Sequence, residues 1–247
     1  MLKQEKLDRI LETVNTKGTI TVKEIMTSLD ISDMTARRYL QELADKDLLV
    51  RVHGGAESIH GLKEEIANSQ KAIRNVQEKA QLAGYAADLI KEGDVVFLEA
   101  STTNELLIPH LANRQVTVVT NSIHHAVKLV DLGVSTRIVG GKVKHSTDAS
   151  IGSTAQEQIR QLNFDCAFIG ANGVDANYFT TPDMEEAVIK RTVIANAQKT
   201  YVLADASKLG QVTYAKVAEV EKVTIITNAS EEGLLKELKE KTRVIEV

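Results

Sequence analysis

Seven short runs rich in Val, Ile and Thr punctuate the last three-fifths of the chain, at residues 95–98, 116–120, 136–139, 166–169, 201–204, 223–227 and 244–247. They are apolar at successive positions, so both faces of each strand are expected to be buried. Strands of that kind, separated by helix-length segments, specify an α/β domain with a mostly parallel sheet covered by helices. One of those segments, carrying Ile73, Val76, Ala80, Ala83, Ala87 and Ile90, reads as a single long helix ending at Gly93.

In such sheets ligands bind beyond the carboxyl ends of the strands. Small and polar residues collect at those ends here. Glu99-Ala100-Ser101-Thr102-Thr103 follows the first run, Thr120-Asn121-Ser122 the second and Gly140-Gly141-Lys142 the third. Gly170-Ala171-Asn172-Gly173 follows the fourth, and Asp205-Ala206-Ser207-Lys208 the fifth. Each alone is ordinary turn chemistry. Together they place hydroxyls, amides and cations along one sheet edge, which suits a polyol phosphate. Thr180-Thr181-Pro182-Asp183 reads as a turn. The helix after it carries Glu185, Glu186, Lys190 and Arg191; Glu186 and Lys190 are spaced for an i,i+4 ion pair, and the turn directs some of these side chains inward.

Composition narrows the class. A hydrophobic fraction of 43% with 26% charged residues is ordinary for a globular protein. With no run of 18 apolar residues, no membrane span is expected, and the charged N-terminus lacks an apolar secretory core. A single cysteine, Cys166, excludes an internal disulfide, fits a reducing cytoplasm and reads as a core residue. The six histidines lack ligand spacing, so neither a metal site nor a cofactor is expected, and His124-His125 reads as a surface pair on a helix.

The first 57 residues have a different grammar. Leu7, Ile10, Leu11 and Val14 mark a helix with one buried face, ended by Gly18. Thr21 and Glu24 form a capping box that opens a second helix with Val22, Ile25, Met26 and Leu29 on its stripe. Asp30 and Ile31 turn, and Ser32 caps a third helix. On a wheel of about 100° per residue, Ala36, Leu40 and Leu43 face inward, leaving Met34, Arg37, Arg38 and Gln41 outside. Arginine can read guanine or hold phosphate, and glutamine can read adenine. Ser32 and Thr35 stand at the helix N-terminus, where hydroxyls and amides can hold a phosphate. A basic hairpin follows at residues 48–56, with Arg51 and His53 placed to touch DNA backbone or minor groove. This order is that of a winged helix-turn-helix. Residues 1–56 carry nine Lys/Arg and nine Asp/Glu, so attraction to DNA must come from charge placement. The expected division is a winged DNA-binding domain at 1–57, a polar linker at 58–69 and a sugar-phosphate-binding domain at 70–247.

The pattern Ser32-x-x-Thr35-x-Arg37-Arg38-x-Leu40, followed by Leu48-x-x-Arg51-x-His53-Gly54-Gly55-Ala56, resembles the DeoR family of bacterial sugar-operon regulators. The resemblance extends over essentially the whole chain and implies a C-terminal domain like ribose-5-phosphate isomerase, binding open-chain sugar phosphates. It places Ser101, Thr102 and Thr103 in the phosphate loop and Asn172, Asp183, Glu186, Lys190, Asp205 and Lys208 at the sugar. Tyr39 stands where most members carry aspartate. Glu99 and Ser101 stand where the family has the aspartate and glycine of Asp-x-Gly-Thr-Thr, and losing that glycine removes free access to positive φ. Segments 120–126, 168–174, 180–186 and 201–208 look like the fructose-operon repressors, which implies fructose 1-phosphate as effector. Residues 33–40 look equally like the lactose-operon repressors, whose effector is tagatose 6-phosphate.

The expectation is a non-enzymatic repressor, dimeric or tetrameric, that leaves operator DNA when a sugar phosphate binds. The alternatives are an activator and a sugar-phosphate isomerase with an accessory DNA module. In that enzyme Glu186 or Asp183 would be the base and Lys208 or Lys190 the electrophile.

Overall fold

The computed structural model describes residues 3–46, 48–58, 61–62, 65–229 and 232–247. The chain forms two compact units, Met1–Glu64 and Glu65–Val247. The polar stretch 58–69 straddles that boundary. Residues 59, 60, 63 and 64 of it lie outside the described residues, and residues 65–69 belong to the second unit.

The first unit runs α1 (Lys3–Lys17), β1 (Thr19–Thr21), α2 (Val22–Leu29), α3 (Asp33–Asp45), β2 (Leu49–Val52) and β3 (Gly55–Ser58). Leu7, Ile10 and Val14 of α1 are buried, and Gly18 ends the helix at φ +79°. The capping box is present: the Thr21 amide donates to Glu24 Oε2 at 2.8 Å, and the Glu24 amide donates to Thr21 Oγ1 at 3.2 Å. Asp30 closes α2 in the left-handed region at φ 48°, and Ser32 caps α3. Ala36, Leu40 and Leu43 complete the core, joined by Tyr39. The strand that periodicity does not announce is β1. It makes β3 the central strand of a three-stranded sheet, in the order β1-β3-β2. Three residues are too few to show a period, and only Ile20 of them is buried.

The second unit runs α4 (Asn68–Ala72), α5 (Val76–Asp88), β4 (Val95–Leu98), α6 (Thr102–Glu105), β5 (Thr117–Thr120), α7 (Ile123–Asp131), β6 (Ser135–Ile138), β7 (Lys142–Lys144), β8 (Ala149–Ile151), α8 (Ser153–Arg160) and β9 (Phe164–Gly170). It continues with β10 (Gly173–Val174), β11 (Tyr178–Thr181), α9 (Met184–Asn196), β12 (Ala197–Leu203), β13 (Ala215–Glu219), β14 (Thr224–Thr227), α10 (Glu232–Lys241) and β15 (Val244–Glu246). All seven apolar runs enter one sheet, in the order β15-β14-β12-β9-β4-β5-β6. Every adjacent pair in it is parallel. Phe97, Val119, Ala167, Ile169, Val202 and Ile225 pack on one face with α8 and α9. Val96, Leu98, Val118, Phe168, Leu203 and Ile226 pack on the other with α5 and α7. This two-sided burial is why the inner runs are largely apolar instead of alternating, whereas the edge strands β6 and β15 carry Arg137 and Glu246.

Two expectations change. The single helix over residues 73–90 is two helices, broken where Asn75 adopts φ 51°. Ile73 is 80% exposed, and the buried stripe of α5 is Lys79, Leu82, Ala83, Ala86 and Ala87. Thr180 and Thr181 are not turn residues. They end β11, which pairs with β13 in a small antiparallel sheet, and Asp183 caps α9.

In the first unit, a Cβ at Gly55 would stand 2.0 Å from the Ile20 carbonyl oxygen, which is backbone and cannot rotate away. Gly55→Ala should therefore destabilise the three-stranded sheet by about 1–3 kcal/mol, read as a lower midpoint in urea for the N-terminal unit.

Candidate DNA-reading surface and effector cleft

The outward face of α3 is laid out as the wheel places it. Met34 (81% exposed), Arg37, Arg38 and Gln41 are exposed, and Ser32 is exposed at the cap. Asp33 shares that face, and its carboxylate takes two bonds from Arg37, at 2.6 and 3.2 Å. Hydrogen bonding to Arg37 holds the Asp33 carboxyl below its ordinary range. Gln41 donates to Asp45 at 2.8 Å, and Arg38 lies over the Tyr39 ring at 5.6 Å. Tyr39 thus replaces a carboxylate with an aromatic platform under an arginine. The hydroxyls of Ser32 and Thr35 are 3.0 Å apart, with Ser32 Oγ also accepting the Thr35 amide.

Arg51 has a different place from the one its wing position suggests. Its Nε donates to the Gly55 carbonyl at 3.3 Å and its Nη1 to the Arg37 carbonyl at 3.1 Å. It is a strut that fixes the wing against α3. His53 stands exposed at the tip of the β2–β3 turn.

In the second unit, strand order reverses between β4 and β9, and a cleft opens beyond their carboxyl ends. Ser101, Thr102, Thr103, Asn172, Glu186, Lys190, Asp205 and Lys208 line it. Asn68, Lys71, Lys79, Ala100, Thr147, Gly170, Ala171 and Leu203 line it as well. Of this second group, Lys79 carried a readable signal: it sits one turn before Leu82 and Ala83 on the buried stripe of α5, where a lysine needs a partner. Lys71 and Asn68 gave none, because they lie on a five-residue helix.

The remaining expected residues support the cleft from outside it. Asn121 Oδ1 accepts the Ala100 amide at 3.0 Å, and its Nδ2 donates to the Ser150 carbonyl. Ser122 caps α7. The Gly140 amide donates to Gln158, and a Cβ on Gly141, at φ 150°, would fall 2.7 Å from the Ile151 carbonyl oxygen. Lys142 pairs with Glu185 at 3.0 Å. Asp183 accepts the Glu185 and Glu186 amides and pairs with Lys144 at 2.8 Å. Burial opposes its charge, but these donors outweigh it and hold the carboxyl below its usual range.

Glu186 and Lys190 do not pair with each other. Lys190 Nζ lies 2.6 Å from Glu99 Oε1 and donates to the Gly170 carbonyl at 2.9 Å. Glu99 Oε2 accepts the Gly170 amide at 3.0 Å. Burial pushes the Glu99 carboxyl up, and Lys190 holds it back. Glu186 instead accepts from Lys144 at 3.3 Å, Thr147 at 2.8 Å and Thr181 at 3.3 Å. Ser101 occupies ordinary extended backbone (φ −150°, ψ 151°), so no glycine is required there. A separate close approach makes glycine necessary at 170, where a Cβ would fall 2.6 Å from Ser101 Cβ.

His125 is 2% exposed, not a surface residue. Its Nε2 bonds the Ser101 carbonyl at 3.2 Å, and burial pulls its pKa down to about 4, so the ring is neutral. Cys166 is buried and its thiol is pushed up to about 12, chiefly by burial, which suits a core residue. Among the described residues there is no cluster of His, Cys, Asp and Glu able to hold a metal, and no helix long and apolar enough to cross a membrane.

A DNA-reading helix with its wing and an α/β domain with a polar cleft at its crossover define a ligand-responsive DNA-binding regulator. Residues 6–61 match the DeoR-like helix-turn-helix domain and residues 74–229 the DeoR C terminal sensor domain. The chain belongs to the DeoR family of transcriptional regulators. It is 35% identical over 99% of its length to the uncharacterized HTH-type transcriptional regulator FruR of Bacillus subtilis (strain 168), covering 98% of that protein. It is 33% identical to the lactose phosphotransferase system repressor of Staphylococcus aureus (strain N315), over 92% of each chain. With the repressor of the same name from Streptococcus mutans the identity is 32%, over 99% of this chain and all of the other. Among solved structures it is similar to ribose 5-phosphate isomerase A from Methanocaldococcus jannaschii, at 22% identity over 55% of each chain with a TM-score of 0.42.

Two measurements test this geometry. Lys190→Met leaves Glu99 buried without its cation and should destabilise the second unit by about 3–5 kcal/mol in urea unfolding. His125 gains a proton more readily unfolded (about 6.5) than folded (about 4), so its contribution is complete above pH 6.5 and is lost as pH falls toward 4. His125→Gln should flatten the stability profile in that window by about 3 kcal/mol.

Proposed function

We propose that the protein represses a sugar-utilisation operon, that of a fructose phosphotransferase system, and leaves its operator when fructose 1-phosphate fills the cleft. The observation that carries this reading is the lining at the β4/β9 crossover. Lys71, Lys79 and Lys208 supply ammonium groups and Ser101, Thr102 and Thr103 supply hydroxyls, chemistry suited to a phosphate. Asn172, Glu186 and Asp205 supply the acceptors and amide that a polyol chain needs. The FruR-named relative supports fructose 1-phosphate. The lactose phosphotransferase repressors, at similar identity, support a second reading with tagatose 6-phosphate.

An isomerase reading fits the contacts less well. Glu186 already accepts from three donors, Lys190 is neutralised by Glu99, and Asp183 caps a helix outside the cleft. None is poised as a base or electrophile. One 13-residue helix reads too few base pairs for useful specificity, so the working form is a homodimer or homotetramer on two half-sites. Operator binding places that work in the cytoplasm.

A gel shift on DNA upstream of the genes adjoining its own, titrated with both sugar phosphates, tests operator, effector and sign together. Release by neither sugar would sink the effector assignment, and tighter binding with either would overturn release as the response. Arg37→Ala and Arg38→Ala should each weaken operator binding on the order of tenfold or more, while a contact to phosphate alone would show as a shallower salt dependence. Lys79→Met should raise the effector Kd by about tenfold with operator affinity intact.

A further inference from the structure

Asp33, Arg37, Gln41 and Asp45 follow one another one turn apart along α3 and form a single ridge on its exposed face. At each end of the ridge a carboxylate holds the side chain next to it. Asp33 takes Arg37 Nε on one oxygen at 2.6 Å and Nη2 on the other at 3.2 Å. Asp45 Oδ1 takes one amide hydrogen of Gln41 at 2.8 Å. Arg37 is held a second time through its backbone, because Arg51 of the wing donates to its carbonyl at 3.1 Å. Exposed pairs one turn apart add little to helix stability, so their consequence is which edge of each side chain they leave free.

A carboxylate on the Nε–Nη2 side of a guanidinium leaves its end-on edge open, with one N–H on Nη1 and one on Nη2. Those two parallel donors match the O6 and N7 acceptors of guanine in the major groove. One amide hydrogen given to Asp45 leaves Gln41 with its oxygen and its other hydrogen, the acceptor and donor that adenine N6 and N7 require. Four residues advance a helix by about 6 Å, close to two base-pair steps of about 3.4 Å. Arg38 stands off this ridge, about 100° around the helix from Arg37. Its guanidinium lies over the Tyr39 ring at 5.6 Å. From that flank an arginine meets the sugar-phosphate wall of the groove.

We propose that Asp33 and Asp45 are positioning residues for sequence readout: Asp33 presents Arg37 to a guanine, Asp45 presents Gln41 to an adenine about two base pairs from it, and Arg38 holds a phosphate. This rests on the repressor reading above and adds to it which bases the reading head selects. The carboxylates act before DNA arrives. A guanidinium tied to Asp33 is kept from turning to the nearest phosphate, which every sequence offers, so the pair converts charge into selectivity.

The test selects preferred sites for the full-length protein from a random-sequence duplex library, with wild type and variants sequenced side by side. Wild type should enrich half-sites carrying a G·C and an A·T pair about two steps apart. Arg37→Ala should lose about tenfold of preference at the G·C pair alone, and Gln41→Ala the same at the A·T pair alone. Arg37→Lys keeps the charge without the fork and should lose the same G·C preference. Asp33→Ala should relax the pair that Arg37→Ala relaxes, by at least about threefold. Its affinity for non-specific DNA should not fall, since a carboxylate facing phosphates has been removed. Asp45→Ala should relax the pair that Gln41→Ala relaxes. Arg38→Ala should relax no pair and make the salt dependence shallower. Replacing the selected guanine by 7-deazaguanine, which lacks the N7 acceptor, should weaken wild type and leave Arg37→Ala unchanged. The assignment is overturned if Asp33→Ala relaxes no pair, relaxes a different pair from Arg37→Ala, or lowers affinity for every sequence alike, as a merely structural role would. Sites enriched by wild type but untouched by Arg37→Ala and Gln41→Ala overturn this readout and leave the repressor reading standing. A wild type that enriches no sequence overturns both.

Discussion

The pair formed by Glu99 and Lys190 organises the second unit. Glu99 leaves the end of β4, reaches the neighbouring strand β9 through the Gly170 amide, and meets the Lys190 ammonium brought in by α9. Lys190 closes the circuit on the Gly170 carbonyl. Both charges are buried, so each is tolerable only with the other. The consequence is positional: the hydroxyl loop after β4, the strand end of β9 and the first turns of α9 are held in one register. That register fixes where the strand order reverses and therefore where the cleft lies. Ser101 packs against Gly170 across the strand end, where a Cβ on residue 170 would fall 2.6 Å from Ser101 Cβ. The Glu99 carboxylate spans the two partners, Oε2 on the Gly170 amide and Oε1 on Lys190.

The reading head shows the complementary point, that charge placement outweighs charge count. The first 56 residues are neutral in sum, and the acids are not scattered at random. Asp33 orients Arg37, Glu24 is consumed by the capping box, and Asp45 holds Gln41. Each carboxylate either stiffens a helix end or fixes the rotamer of a long side chain that faces outward. Fixing such a side chain in advance lowers the entropy lost when it meets a base edge. Arg51 extends the same economy to the wing, where a cation with a plausible DNA role instead sets the angle between hairpin and helix.

Much of this was legible in residue order. The inner strands were visible because burial on both faces suppresses alternation, while no residue of the edge strands β6 and β15 is buried and their β-branched content announced them. The capping box and the outward face of α3 were visible because helical spacing is rigid. The hairpin β7–β8 and the small sheet β10-β11-β13 were not, since strands of two to five residues carry too few side chains to show a period. The break at Asn75 was hidden for another reason. The apolar residues on either side keep helical spacing, and the left-handed residue is stabilised by Asp205, 130 positions away. In the cleft, strand-end polarity pointed to the right sheet edge but could not separate lining from support. Asn121, Ser122 and Asp183 have the residue types of a ligand site, yet their polar atoms are spent on backbone amides. Lys71 and Thr147 line the cleft from segments whose composition is unremarkable for a surface.

Counting charge within the cleft carries the argument one step further. Lys190 is matched by Glu99, whereas Lys144 is shared among Glu65, Asp183 and Glu186 and does not cancel Glu186 alone. In the lining, Glu186 and Asp205 stand with three further lysines, Lys71, Lys79 and Lys208. Burial lowers the pKa of Lys71 and of Lys79, which means that water no longer solvates these ammonium groups well. An anion beside a desolvated lysine favours its charged form, so binding a phosphate and keeping these lysines protonated are linked. A neutral sugar would gain the polyol contacts and leave the ammonium groups as poorly solvated as before. On the proposed reading, the cleft would distinguish a phosphorylated sugar from the same sugar without its phosphate, with side chains from α4 and α5 as much as with the loop that follows β4.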